Sequence, residues 1–317
     1  MNKFIEKNFR TPIRFYRNTL NFLEEINNKL CNFIISKQKF GIYSRRVKET
    51  ISCKDSNYIP KVEDAGKIYF GENNQKYQLM HNGVKVILGG YFGDWMTEII
   101  YKLKGHHEPQ EEKVFFEILK QIPNNACMIE LGSFWAYYSL WFQKSIKNAS
   151  NYMIEPNSDN IQIGINNFEI NNFQGTFLNA YLDETYAENS VFLDWDGAES
   201  SQPRVSVDYL INQKYNLNYV HILHSDIQGY EHKMLKGCRE SVTQNKIGYF
   251  IISTHGDDIH KECIEILEKE YKCKIIAAHK PSESFSADGL IAAVAQHVIN
   301  SPKRIEISKK KRCCLFK

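Results

Sequence analysis

Cys127-Met-Ile-Glu-Leu131 is a short apolar run that meets Gly132 and gives way at once to a helical period in Trp135, Tyr138, Ser139 and Phe142. Extended segment, tight turn and helix in that order form the opening unit of a doubly wound α/β sheet. Gly132 suits the turn, because a residue without Cβ lets the backbone bend sharply or pass close to a ligand. Glu130 falls at the carboxyl end of the strand, where ligands bind in open α/β sheets. Two later stretches repeat the pattern. Asn151-Tyr-Met-Ile-Glu155-Pro156 is a second short strand ending in an acid, about 20 residues on, the position from which a carboxylate accepts bonds from a ribose diol. Val220-His-Ile-Leu-His-Ser-Asp226-Ile-Gln-Gly229-Tyr-Glu231 is a third strand with an acidic end, followed by a glycine and a helix. Three parallel strands would aim Glu130, Glu155 and Asp226 at one crevice, so a nucleoside-binding site is expected there.

The rest of the chain supplies enough mass for such a sheet. At 317 residues and 43% hydrophobic, one large domain with extensions is the economical organisation. No apolar run reaches the roughly 18 residues of a spanning helix. Residues 1–10 lack an apolar core and a small-residue cleavage site, and the eight cysteines form no Cys-x-x-Cys pair. An unsecreted, cytoplasmic protein without a disulfide framework or a zinc centre is expected. The net charge of +3 is unevenly placed. Residues 1–60 carry twelve Lys and Arg against five acids, residues 302–317 seven against one, and the body between them is strongly acidic. Basic ends on an acidic body fit peripheral contact with an anionic membrane surface; the plainer reading is two solvated tails. Nucleic acid is not expected as a partner, because the body is acidic and the basic ends lack an interleaved aromatic groove.

Along the chain, residues 1–60 read as a basic helical extension. Its helix spans about 11–39, with Leu23, Ile26, Leu30, Phe33 and Ile34 on one stripe. That stripe would pack on its own domain, or serve a homo-oligomer or a membrane surface. Lys48 to Asp64 reads as a linker. Residues 61–112 form a lead-in with small strands at 67–70 and 84–88 about an Asn82-Gly83 turn, then a helix from Asp94. The main domain runs over 113–300, with strands at 127–131, 152–155, 175–178, 220–225, 247–253, 273–278 and 290–295. The last two have no helix between them and should pair antiparallel. Tyr181 to Asn218 is long for a crossover, so a substrate lid is expected, with Trp195 beside Asp194 and Asp196 suited to a sugar. Residues 301–317 read as a basic tail.

Together, Met128-Ile-Glu-Leu-Gly132 with Tyr137-Tyr138-Ser139, Ile154-Glu-Pro156, and Ser225-Asp-Ile-Gln-Gly-Tyr-Glu231 with Leu235-Lys-Gly237 resemble the FkbM-type family of S-adenosylmethionine-dependent methyltransferases. Val205-Ser-Val-Asp-Tyr-Leu210 and His107-Glu-Pro109 look like family features too, and the likeness covers roughly 105–300. It implies an α/β fold with a seven-stranded Rossmann-like sheet, last strand antiparallel, and S-adenosylmethionine as cofactor. It places His107 and Glu108 at the mouth of the cofactor site, with Ser133, Tyr138, Ser139 and Pro156 along it and Asn179 and Ala180 beside the adenine. One departure concerns the first turn: the family has more glycine and an asparagine where this chain has Ser133-Phe-Trp-Ala136.

Methyl transfer to a hydroxyl needs alignment above all, and a base that takes the hydroxyl proton. His255 is the first candidate, at the end of the strand after that of Asp226 and titrating near neutral pH. Asp226 would orient the acceptor, take its proton, or contact the cofactor. Gln228 and Glu231 would bind substrate, although Glu231 is also placed to cap its own helix. His224 reads as a satisfied core histidine, and no resident metal is expected. The family likeness suggests O-methylation of a small-molecule or glycan hydroxyl. Two alternatives remain: a nicotinamide oxidoreductase, disfavoured because Phe134 stands where a second glycine is needed, and a non-catalytic scaffold or glycan-binding protein.

Overall fold

The computed structural model describes residues 44–71, 75–193 and 199–310. The expected helix over 11–39, Trp195 with its acidic neighbours and residues 311–317 lie outside the described residues. The chain divides into two compact units, Met1–Ile51 with Pro60–His107, and Ser52–Ile59 with Glu108–Lys317.

In the first unit, α1 (Ser44–Ser52) occupies part of the stretch expected to be a linker and ends at the boundary. Three short strands, β1 (Ile68–Phe70), β2 (Lys76–Leu79) and β3 (Lys85–Ile87), form an antiparallel sheet in that order. The sequence shows β1, β3 and the Asn82-Gly83 turn, but Lys-Tyr-Gln-Leu lacks the apolar alternation that would mark β2. Buried Gln78 on β2 donates to Gly66 O and to Thr97 O, which ties the sheet to α2 (Asp94–Lys102).

The second unit is built on a seven-stranded sheet of order β12-β13-β11-β10-β4-β5-β6. Its strands are β4 (Cys127–Leu131), β5 (Ser150–Ile154), β6 (Thr176–Leu178), β10 (Val220–Ser225), β11 (Ile247–Thr254), β12 (Lys274–His279) and β13 (Gly289–Val294). Neighbours from β6 through β11 run parallel, and β13 is antiparallel to both β11 and β12. All five residues of β4 and all eight of β11 are buried, as expected for strands covered by helices on both faces. The covering helices are α3 (Pro109–Leu119), α4 (Tyr137–Ser145), α5 (Ser158–Ile170), α6 (Glu231–Lys236), α7 (Arg239–Thr243) and α8 (Asp257–Glu265).

Helix α5 has a clear local cause. The Asn157 side chain accepts from the backbone N–H of Asp159 at 2.9 Å and of Asn160 at 3.1 Å. Asn157→Ala is therefore expected to cost about 1 kcal/mol in urea-induced unfolding.

The described part of the stretch expected to be a lid forms a small sheet of order β7-β9-β8, with β7 (Tyr181–Leu182), β8 (Ala187–Leu193) and β9 (Glu199–Val205), followed by a π-helical turn over Tyr209–Lys214. Ser200-Ser-Gln-Pro203 belongs to β9. Its polar sequence and Pro203 hide the strand; the proline sits opposite the register shift between Ala187 and Ser190, where no ladder bond is required of it.

The C-terminal segment is more tied down than a solvated tail. Ile305 N–H donates to Ile276 O, Ser308 N–H and Oγ donate to the two carboxylate oxygens of Asp55, and Lys310 N–H donates to Glu283 O. Among the described residues no helix is long and apolar enough to cross a membrane.

Candidate functional site

The carboxyl ends of β4, β5 and β10 meet at the turn that follows β4. Gly132 has φ +73, and a Cβ on it would lie 1.8 Å from the backbone oxygen of Asp226. The turn passes that close because Gly132 N–H and Ser133 N–H both donate to Ile154 O of β5, while Asp226 N–H donates to Leu131 O. Phe134 and Ala136 also have positive φ, +42 and +59. The backbone thus keeps a left-handed residue at every second position, as a glycine-rich turn would, with side chains where glycines are expected. Gly164 on α5 makes room: a Cβ there would lie 3.0 Å from Phe134 O.

Glu130 is buried and accepts from Ser139 N–H at 3.0 Å, so its carboxylate sits on the first turn of α4. Burial pushes its pKa up. Glu155 accepts from Phe134 N–H at 3.0 Å with one oxygen and from Asn157 N–H at 2.9 Å with the other, joining the β4 turn to α5. Asn179 donates to Glu155 O and Pro156 O, so its amide nitrogen holds the ends of β5 and β6 together. Ala180 is fully buried and belongs to the apolar core with Ile154, Leu182 and Val205.

Of the pair expected at the crevice mouth, His107 belongs to the first unit, where its ring meets Tyr91 edge-on at 5.7 Å. Glu108 belongs to the second and accepts the Tyr138 hydroxyl at 3.3 Å. The hydroxyls of Ser133 and Ser225 are buried and have no hydrogen-bond partner. They stand at the ends of β4 and β10. Buried hydroxyls are normally satisfied. Two orphaned ones beside the acidic strand ends fit a polar nucleoside ligand carrying ribose, ammonium and carboxylate groups, as S-adenosylmethionine does.

A second group of side chains surrounds His255, in the turn between β11 and α8. Its Nδ1 is 2.8 Å from Glu231 Oε1, and its Nε2 is 2.9 Å from Gln228 Nε2 and 3.3 Å from Asp226 Oδ1 and from Asp288 Oδ1. Gln228 also donates to Asp226 Oδ1 at 2.9 Å, from a strained backbone with φ +52. Asp226 and Asp288 keep 26% and 28% of their side chains exposed, so this end of the group faces outward. Glu231 does not: its side chain is wholly buried beneath His255, and it accepts from Gly229 N–H at 3.0 Å. The expectation that Glu231 touches substrate is corrected by that burial.

Burial drives the Asp226 carboxyl up to about 8; His255 pulls it down, while Asp288, Glu108 and Glu111 push it further up. Burial alone would lower His255, but the bond to Glu231 and the charges of Asp226, Glu231 and Asp288 outweigh it and raise the imidazole to about 9. His255 therefore stands as an imidazolium at neutral pH, in place of the neutral base expected from an unperturbed histidine.

Two features escape sequence reasoning. Asp288 lies in a polar loop with no pattern to single it out. Buried Glu111, in the first turn of α3, takes His224 Nε2 at 2.6 Å and the Ser253 hydroxyl on its two oxygens. His224 is a core histidine as expected, but only half satisfied, since its Nδ1 is buried without a partner; burial alone would lower its pKa, and the Glu111 bond together with the charges of Glu111, Glu130 and Asp226 raises it. The Glu-Glu after Pro109 reads in sequence as acids favoured by the helix dipole, and one of them is an internal counter-ion. Among the described residues, no three or more of His, Cys, Asp and Glu converge as a metal site.

Residues 91–273, more than half of the chain, match the family described as "Methyltransferase FkbM domain". No curated protein sequence matches. Similar solved structures include M. capricolum TrmK in complex with S-adenosyl-homocysteine, 12% identical over 59% of this chain and 71% of that one, with a TM-score of 0.39. A putative rRNA methylase from Clostridium thermocellum is 8% identical over 59% and 95%, with a TM-score of 0.42. A putative O-methyltransferase from Klebsiella pneumoniae is 10% identical over 53% and 72%, with a TM-score of 0.37. The sheet order, the β4 turn with its acidic neighbours and the match across 91–273 lead to one assignment: the chain belongs to the FkbM methyltransferases and takes S-adenosylmethionine as its methyl donor.

Proposed function

We propose that the protein transfers the methyl group to a hydroxyl, that of a sugar in a glycan or a related metabolite. The observation that carries this reading is the outward-facing end of the His255 group, where Asp226, Asp288 and Gln228 surround Nε2 within 3.3 Å. Two carboxylates, an amide and an imidazole are acceptors and donors suited to a polyol, and the same atoms can receive the proton that a hydroxyl loses. When bound, S-adenosylmethionine would supply a methyl group activated by its sulfonium. The residues of the chain have the remaining tasks. Glu130, Glu155 and the serine hydroxyls at the strand ends hold the nucleoside, and Asp226 with Gln228 orients the acceptor. The basic ends support a cytoplasmic protein working against an anionic membrane surface.

Two measurements test the reading. Calorimetric titration with S-adenosylmethionine and S-adenosylhomocysteine should give binding that is weakened at least about tenfold in Glu155→Ala, roughly the loss of one charge-assisted hydrogen bond. Transfer of labelled methyl should then reach the hydroxyls of a panel of neutral sugars. Label found only on nitrogen of amine or nucleobase acceptors would replace O-methylation with N-methylation.

A further inference from the structure

We propose that Glu231 is a positioning residue of the reaction, which fixes the tautomer of His255 so that Nε2, turned toward Asp226 and Asp288, is the atom that takes the acceptor proton. This rests on the proposal that a hydroxyl is methylated beside His255, and it changes the role expected for Glu231 from substrate contact to control of the base.

The geometry supports it in three ways. Glu231 Oε1 already accepts Gly229 N–H at 3.0 Å, so it meets His255 Nδ1 at 2.8 Å as an acceptor, and Nδ1 carries hydrogen. Its side chain has no exposure, and its second oxygen, Oε2, is buried without a partner. A carboxylate so placed needs a nearby positive charge, and the imidazolium supplies it. Finally, Nε2 has two sets of partners that suit two protonation states. With Nε2 bare, Gln228 Nε2 can donate to it at 2.9 Å; with Nε2 protonated, Asp226 Oδ1 and Asp288 Oδ1 can receive its hydrogen at 3.3 Å. In the step itself the acceptor O–H bond breaks, its electron pair stays on oxygen, and the proton forms an N–H bond at Nε2. The charged and polar groups facing the ring are Glu231 on α6, Asp226 and Gln228 on the segment after β10, and Asp288 on the loop before β13.

Capping its own helix is the simpler role for Glu231, and Glu231→Gln separates the two. The amide oxygen can keep the bonds to Gly229 N–H and His255 Nδ1–H, while the charge is lost. The experiment is nitrogen-detected NMR titration of the His255 ring in the full-length protein, wild type and Glu231→Gln, with thermal melts and S-adenosylhomocysteine calorimetry on both. The expected wild-type neutral form is Nδ1–H, and the variant should keep it while titrating at least about one pH unit lower, a tenfold change in the charged-to-neutral ratio. A neutral Nε2–H form in the wild type would overturn the proposal, as would an unchanged titration in a folded variant. The wild-type tautomer decides the matter alone if the variant does not melt cooperatively. Loss of homocysteine-ligand binding in the wild type would count against the methyl-donor site and leave the tautomer result standing, so the two failures are distinguishable.

Discussion

Replacing Gly132 by alanine is expected to destabilise the protein by roughly 3–5 kcal/mol and to abolish methyl-donor binding. Two independent penalties add. An L side chain at φ +73 is strained, and the new Cβ would lie 1.8 Å from the Asp226 backbone oxygen, a contact that no rotamer can relieve. Relief would require β4 and β10 to move apart, which breaks the Asp226 N–H to Leu131 O bond and shifts the Asp226 carboxylate away from His255. Urea unfolding followed by the fluorescence of buried Trp135 and Trp141 reads the first effect, and calorimetry with S-adenosylhomocysteine the second. A variant within about 1 kcal/mol of wild type, against that expected range, would mean that the turn does not run this close to β10.

His255→Gln should lower kcat by about 10²–10⁴-fold while leaving affinity for S-adenosylhomocysteine unchanged, the loss expected on removing a general base. The pH profile of the wild type is the companion measurement. Asp226 and His255 form a pair that gives up its protons at about 8 and about 9, so the rate should climb through that window and the rise should be flattened in the variant. Stability moves the opposite way. Both groups have folded pKa values above their unfolded ones, so the folded protein holds more protons and the unfolding free energy falls as pH rises. The contribution of His255 is complete below its unfolded value of about 6.5 and is lost as pH passes about 9. The burial cost of Asp226 grows from its unfolded value of about 3.9 up to about 8. Melting temperatures taken from pH 6 to 10 should decline, and a protein that grows more stable over that range would contradict the assignment.

The sheet was legible in sequence because its strands are short apolar runs closed by Gly132, Pro156 or Gly229, and because β12 and β13 have only a single 3-10 turn, Pro281–Glu283, and no α-helix between them. The acids at the ends of β4, β5 and β10 were legible for the same reason: a carboxylate just past a buried run has few structural excuses. What sequence could not show is which carboxylates serve one another. Glu155 is divided between Phe134 N–H and Asn157 N–H, Glu231 lies beneath His255, and Glu111 reaches His224, more than a hundred residues away. These pairings depend on the packing of α3 and α6 against the sheet, which carries no local signal. The first turn makes a related point. Phe134 and Ala136 argue locally against left-handed backbone, yet both adopt it, because the bonds from Gly132 and Ser133 to Ile154 O and the space at Gly164 over-determine the path.

The tie between Asp55 and Ser308 has a consequence for biosynthesis. The two are 253 residues apart, and Ser308 O is also held by Gln110 Nε2 at 2.7 Å, whose amide oxygen receives Phe285 N–H at 2.8 Å in the loop that carries Asp288. A ribosome working at about 5–20 residues per second takes roughly 12–50 s to cover that distance. Throughout that interval the emerging chain has its first strands but not the strap that steadies the Asp288 loop. The acceptor end of the crevice is thus among the last parts to be completed, because the loop that carries Asp288 gains its strap only once Ser308 has followed β13 out of the ribosome.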